Sequence, residues 1–169
     1  MTGICGPRPR QVELLRVLLL WLLAFAVYPA SACAQQGLAE FAPDSVVLRT
    51  SAGQEHTFDV ELAVTPQQQA QGLMYRPNLA REAGMLFIYR PARRVKMWMR
   101  NTAIPLDMLF IAEDGEVVRI AERTVPFSLT TISSGMPVRG VLEINGGTAA
   151  RLGIGLGDRV MYPAFDSGP

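Results

Sequence analysis

Between Lys96 and Asp107 the chain gathers two cations, a tryptophan, an amide, a hydroxyl and a carboxylate. Strand alternation would set Lys96, Trp98 and Arg100 on one face and Val95, Met97 and Met99 on the other. An indole flanked by hydrogen-bond donors suits a sugar ring or an anionic glycan. Asn101, Thr102 and Asp107 would add polar groups to that surface. Arg76, just past the first predicted helix, could add a bidentate donor for a carboxylate or phosphate. Arg76, Trp98, Arg100, Asn101, Thr102 and Asp107 are therefore the candidate ligand-binding residues. The same residues also have a purely structural reading. Trp98 would then be core, Asn101-Thr102 a turn satisfying its own backbone, and Asp107 an ion-pair partner of Arg76 or Arg100.

Catalytic constellations are thinner. His56 is the only histidine, so any serine triad would have to recruit it from a polar strand start. Asp107, Glu122 and Glu143 could supply a carboxylate pair for glycoside hydrolysis, but no spacing singles two of them out. One histidine and no cysteine beyond the leader argue against zinc, and no cofactor is expected. Methionine is abundant: Met74, Met85, Met97, Met99, Met108, Met136 and Met161. Soft thioethers on one strand face, Met97 and Met99, could hold Cu(I) with Trp98 and His56. Methionine is equally a filler of irregular cores. Gly146-Gly147-Thr148 and Gly153 to Asp158 lack the strand, loop and long helix of a nucleotide site. Both read as turn chemistry, with Thr148 as a helix N-cap and Gly153 as the C-terminal stop.

These groups need a scaffold, and the chain predicts a mainly β one with a minor α contribution. Val46 to Leu48, then Phe58 to Leu62 alternating with polar residues, read as a first hairpin. Thr65-Pro66 starts a short helix ending near Gln71, with Gly72 as its stop. Met85 to Tyr89 reads as a central strand closed by Pro91, and Val95 to Arg100 as another. Leu106 to Ile111 and Val117 to Ile120 flank Asp114-Gly115, a tight-turn pair. Pro126 to Pro137 reads as a long loop, Val141 to Ile144 as a strand, Thr148 to Leu152 as a short helix, and Asp158 to Tyr162 as a closing strand. Such a series predicts an antiparallel β-sandwich or partly closed barrel with two short helices.

The start of the chain is different. Arg8, Arg10 and Arg16 precede the uninterrupted apolar run Val17 to Val27, and small residues follow at Ala30 to Ala34. Basic, apolar, then small is the order of a signal peptide, and the apolar run is shorter than the roughly 20 residues of a membrane-spanning helix. Residues 1–34 are assigned to the leader, with cleavage after Ala32 or Ala34. A retained anchor, or a lipid on Cys33, is the alternative. Residues 35–43 read as a flexible lead-in, 44–163 as one domain and 164–169 as a tail. Both cysteines, Cys5 and Cys33, fall at or before the cut, so the domain has no disulfide framework. Without the leader, acidic and basic residues nearly balance, which gives no support to nucleic-acid binding by bulk charge.

Gln71 to Arg76, Gly84-Met85-Leu86-Phe87, Trp98 to Thr102 with Ile104-Pro105-Leu106-Asp107, and Asp114-Gly115 together resemble the family known as domain of unknown function 192. The similarity runs from about Val46 to Val160. It implies a compact β-rich sandwich, commonly behind a signal peptide, whose biochemical role is uncharacterised. The family usually carries lysine after Trp-Met, and Arg100 keeps the cation but not a deprotonatable amine. The expectation is a non-catalytic binding module, periplasmic or secreted, for a glycan, an envelope component or a protein partner. The alternatives are a periplasmic Cu(I)-binding protein and a small hydrolase using Asp and Glu.

Overall fold

The computed structural model describes residues 37–165. The expected leader, with Cys5 and Cys33, lies outside the described residues, as does everything past Phe165. The strands are β1 (Ala42–Arg49), β2 (Glu55–Ala63), β3 (Ala83–Arg93), β4 (Lys96–Met97), β5 (Leu106–Ile111), β6 (Val117–Ala121), β7 (Ile132–Ser133), β8 (Val138–Asn145) and β9 (Arg159–Met161). The helices are α1 (Pro66–Gln71) and α2 (Thr148–Leu152). Among the described residues no helix is long and apolar enough to cross a membrane.

Seven strands form one sheet in the order β6-β5-β8-β3-β2-β1-β9. Its two edges nearly meet. Val117 donates to the Asp158 carbonyl at 2.8 Å and Val160 to the Gly115 carbonyl at 2.8 Å, so β6 and β9 almost close a barrel. One pair departs from the antiparallel expectation: β2 and β3 run parallel. A parallel pair needs a crossover connection, and residues 64–82, carrying α1, provide it. The helix starts as the sequence predicts. The Gln68 N–H donates to Thr65 Oγ1 and the Gln68 side chain accepts from the Thr65 N–H, a reciprocal capping box with Pro66 at the first position.

The apolar runs of β3, β5 and β8 are continuous because these strands are buried on both faces. Leu86, Ile88, Leu109, Ile111, Leu142 and Ile144 point into the barrel with Phe58, Val60 and Val160. Met85, Phe87, Met108, Phe110 and Val141 point outward, under a cover of Leu73, Val95, Met97, Met99 and Ile104. Gly84 allows the tightest approach within this pairing. A Cβ there would lie 2.7 Å from the Glu143 carbonyl oxygen and 3.2 Å from Ile144 Cγ2. Gly84→Ala should therefore cost about 1–3 kcal/mol through overpacking, seen as a lower urea midpoint with an unchanged slope.

Several sequence boundaries shift. β1 begins at Ala42, paired with Leu62, so the lead-in ends earlier than residue 43. Phe165 is 2% exposed, and packs into the barrel end against the space left by Gly140, so it belongs to the core and not to a tail. β3 runs on through Pro91 to Arg93, with its ladder to β8 broken between Ile88 and Arg93, where proline has no N–H to offer. The expected strand Val95 to Arg100 shrinks to β4. β4 pairs with β7, a two-residue strand inside what reads as a loop. The N-cap of α2 is Gly147 rather than Thr148, and no side chain of its own caps the helix.

Candidate functional site

The chain layer that covers the outer face of β3 and β8 leaves a trough along one side. Its larger part, about 580 Å³, is lined by Leu62, Tyr89, Arg90, Arg93 and Tyr162 among others. The adjoining part, about 420 Å³, adds Arg94, Lys96 and Met97, and Pro66, Gln69, Tyr89 and Arg93 belong to both. The broken ladder after Ile88 is what turns this arginine-rich end of β3 outward. Arg90, Arg93, Arg94 and Lys96 are all exposed. None of them makes an ion pair among the described residues. No carboxylate lines either part of the trough. The Arg93 guanidinium lies 5.0 Å from the Tyr89 ring centroid and donates to Gln69 Oε1 at 3.2 Å. Gln69 in turn donates to the Ile88 carbonyl at 2.8 Å, which ties α1 to β3. Burial, with the nearby Glu143 charge, holds the Tyr89 phenol far above its ordinary range. Tyr162 is pushed up to about 12 by burial and by donating to Asp44.

Trp98 lies past the far end of this trough and is 42% exposed, which removes the reading of it as core. The Arg100 guanidinium stacks 4.2 Å from its ring centroid. Val95, Met97 and Met99 are buried and Lys96, Trp98 and Arg100 exposed, so the side-chain alternation holds although the strand is short. Asn101 has φ 54° and faces Tyr75, with φ 65°. The Tyr75 N–H donates to the Asn101 carbonyl at 2.9 Å, and Asn101 Nδ2 donates to the Tyr75 hydroxyl at 2.8 Å. Phe127, with φ 59°, donates its N–H to the Thr102 carbonyl at 3.1 Å. Left-handed backbone costs a side-chain-bearing residue roughly 1–2 kcal/mol, and two of these three are exposed aromatics. Tyr75 and Phe127 are thus exposed aromatics on strained backbone, both bonded to the turn that follows Trp98.

Beneath Trp98 lies a small cavity of about 20 Å³, lined by Met74, Met97, Trp98, Thr102 and Glu143 among others. Glu143 is 4% exposed, on the face that Met85 and Met108 share across the neighbouring strands. Among the described residues no donor bonds to its carboxyl. Burial pushes this carboxyl up to about 8.

The remaining sequence candidates divide. Thr102 is buried, its hydroxyl donating to the Arg100 carbonyl at 3.2 Å, so it shapes the turn and lines the cavity wall. Arg76 sits next to Tyr75, but Glu61 holds it through two hydrogen bonds and Phe41 stacks beneath it. Asp107 is withdrawn from the surface and pairs with neither Arg76 nor Arg100. Its Oδ1 accepts from the Arg123 and Gly147 N–H groups at 2.8 and 2.9 Å, and its Oδ2 from Ala149 N–H at 2.8 Å. Asp107 supplies the side-chain cap that α2 lacks. Asp107 pairs with Ile144 and Met108 with Glu143, so the two carboxylates point to opposite faces of the sheet and form no catalytic pair. The Cu(I) set expected from Met97, Met99, Trp98 and His56 is not assembled either. The Met99 sulfur accepts from Thr124 Oγ1 at 3.1 Å, and His56 lies in a separate hollow with Glu55 and Glu82. Sequence reasoning passed over Arg90, Arg93 and Arg94. The signal was present in Arg90-Pro91-Ala92-Arg93-Arg94-Val95-Lys96, four cations in one short run without an acid.

A sequence profile of the family DUF192, described as an uncharacterized ACR, matches residues 47–162. No curated protein matches the chain. A crystal structure from Sinorhizobium meliloti 1021, provisionally described as a transcription regulator, is 49% identical, with a TM-score of 0.73, over 76% of this chain and 99% of that one. Another, a protein of unknown function from Novosphingobium aromaticivorans DSM 12444, is 43% identical, with a TM-score of 0.68, over 81% of this chain and 91% of that one.

Proposed function

The chain belongs to the DUF192 family, and from that premise we propose that its domain is a non-catalytic binding module for an acidic glycan of the cell envelope, met outside the cytoplasm. The observation that carries this reading is a trough lined by Arg90, Arg93, Arg94 and Lys96 with no carboxylate in its walls. Unpaired guanidinium groups present forked donors to carboxylate, sulfate or phosphate oxygens. The Trp98 indole, 42% exposed, suits a sugar ring. Export, suggested by the basic, apolar and small-residue order of the first 34 residues, would bring the domain to such ligands.

Nucleic acid, which the provisional description of the Sinorhizobium structure suggests, is the rival polyanion. A formal net charge of +1 over the whole chain favours a short acidic ligand over a long duplex. The test is calorimetric titration of the purified protein with acidic oligosaccharides, their neutral counterparts and single-stranded DNA. The acidic oligosaccharides should bind, and more weakly as salt is raised. The double variant Arg93→Ala/Arg94→Ala should lower that affinity roughly tenfold or more. Trp98→Ala should lower it several-fold where the ligand reaches the indole. Equal binding of neutral sugars, or a double variant that binds unchanged, would sink the reading, and DNA alone binding would replace the ligand.

A further inference from the structure

We propose that the cavity at Glu143 is a site for one soft monovalent cation, Cu(I) or Ag(I), held by the thioethers of Met74 and Met97 and the carboxylate of Glu143, with the Trp98 indole at its mouth.

Glu143 lies in a strand buried on both faces, between the cross-strand neighbours Met85 and Met108, and no donor among the described residues reaches it. The carboxyl opens onto the cavity, and a cation there would form a locally neutral pair with it. The cavity it lines measures about 20 Å³, room for one water-sized species and too small for a sugar or an amino acid. Hard dications want six or more oxygen ligands, and zinc wants imidazole, thiolate or several carboxylates. Among the described residues no cluster of three such side chains exists. The donor side chains that line the cavity are two thioethers, one carboxyl, one hydroxyl and the amides of Gln69 and Gln71, of which Gln69 is turned to the Ile88 carbonyl and Gln71 to the Ala39 N–H. Thioethers select soft monovalent copper and silver.

Both sulfurs remain available. Met97 accepts only a long contact from the Tyr89 hydroxyl at 3.6 Å, and Met74 one from Asn101 Nδ2 at 4.0 Å. Binding to the protonated carboxyl would release its proton to solvent as the cation takes its place. The charged and titratable groups near Glu143 are Tyr89 on β3, Arg93 at the end of that strand, and the Glu61 and Arg76 pair one strand further on the same side. Asp107 on β5 faces the barrel side and is bound to backbone N–H groups.

Silver titration of the purified protein, followed by native mass spectrometry and tryptophan emission, tests the site. In a Cys5→Ser/Cys33→Ser background, which removes the competing thiols, one Ag(I) should bind per chain and quench part of the emission, and Trp98→Phe, which leaves Trp21 as the only indole, should lose that quench. Affinity should rise about tenfold per pH unit between pH 6 and 8, with release of close to one proton at pH 6. Met74→Leu and Met97→Leu, which conserve volume, should each weaken binding at least tenfold. Glu143→Gln should abolish both the pH dependence and the proton release. Met136→Leu/Met161→Leu, at two exposed methionines elsewhere, should leave silver uptake unchanged. Glu143→Gln should leave acidic-oligosaccharide binding unchanged, which separates this site from the glycan reading, on which it does not rest. No uptake at pH 8, or uptake that survives the paired Met74 and Met97 substitutions, would overturn the proposal.

Discussion

Asp107→Ala is expected to destabilise the domain by about 3–5 kcal/mol, lowering the thermal midpoint by on the order of 10 °C. Three backbone N–H groups, of Arg123, Gly147 and Ala149, converge on this carboxylate. Two belong to the start of α2, whose N-cap glycine has no side chain to offer. A hydrogen bond to a charged acceptor contributes more than a neutral one, and a buried donor left unpaired carries its full desolvation penalty. Removing the side chain therefore strands donors on two segments at once. Asp107→Asn keeps the volume and one acceptor but turns an amide N–H₂ toward the other donors, so it should lose at least half as much. Chemical denaturation of both variants measures the difference. Ligand affinity measured well below the melting temperature should be unchanged, which distinguishes a structural carboxylate from a binding one. A loss under about 1 kcal/mol would mean that α2 is held by its packing alone.

The expectation for Asp107 shows where sequence reading succeeds and where it stops. The strands were legible because β3, β5 and β8 carry continuous apolar runs and because Asp114-Gly115 fixes a turn with φ 89° at the glycine. The alternation around Trp98 was legible for the same reason. Sequence could not say that Asp107 would be met by amides from residues far along the chain, because that convergence exists only after β5 and β8 pair. Nor could it foresee the parallel β2 and β3 pairing, since hydrophobic period is the same for parallel and antiparallel neighbours. The arginine run was visible but lay inside what read as a strand end. The break in the ladder past Ile88 is what makes it a wall of the trough.

Backbone strain gathers beside the turn that follows Trp98. Tyr75, Asn101 and Phe127 have positive φ and are joined through backbone hydrogen bonds to one another or to the 99–102 turn. Glycine would be the unstrained residue at each position. Two aromatic side chains there, both more than half exposed, gain little from burial to offset that strain.

The largest pH effect should come from Glu143. Its carboxyl is raised from 4.5 to about 8 by burial. Below pH 4.5 the group is neutral in both the folded and unfolded chain, and its burial carries no charge penalty. Between the two values the unfolded chain has lost the proton and the folded one keeps it, so stability must fall as pH rises. Above pH 8 both states are ionised and the dependence ends. The drop across that window is on the order of 5 kcal/mol, at about 1.4 kcal/mol per unit. Asp44 and Asp114, lowered by their hydrogen bonds, lose their contribution only in more acid solution. Tyr162 acts only toward pH 12. Glu143→Gln should therefore remove the slope between pH 5 and 8 and leave the variant more stable than the native protein at pH 8, as read from urea midpoints. A native stability that stays flat from pH 5 to 8 would show that the carboxyl finds a donor in solution. A slope abolished by the amide would mean that the fold retains, at neutral pH, a group that weakens it.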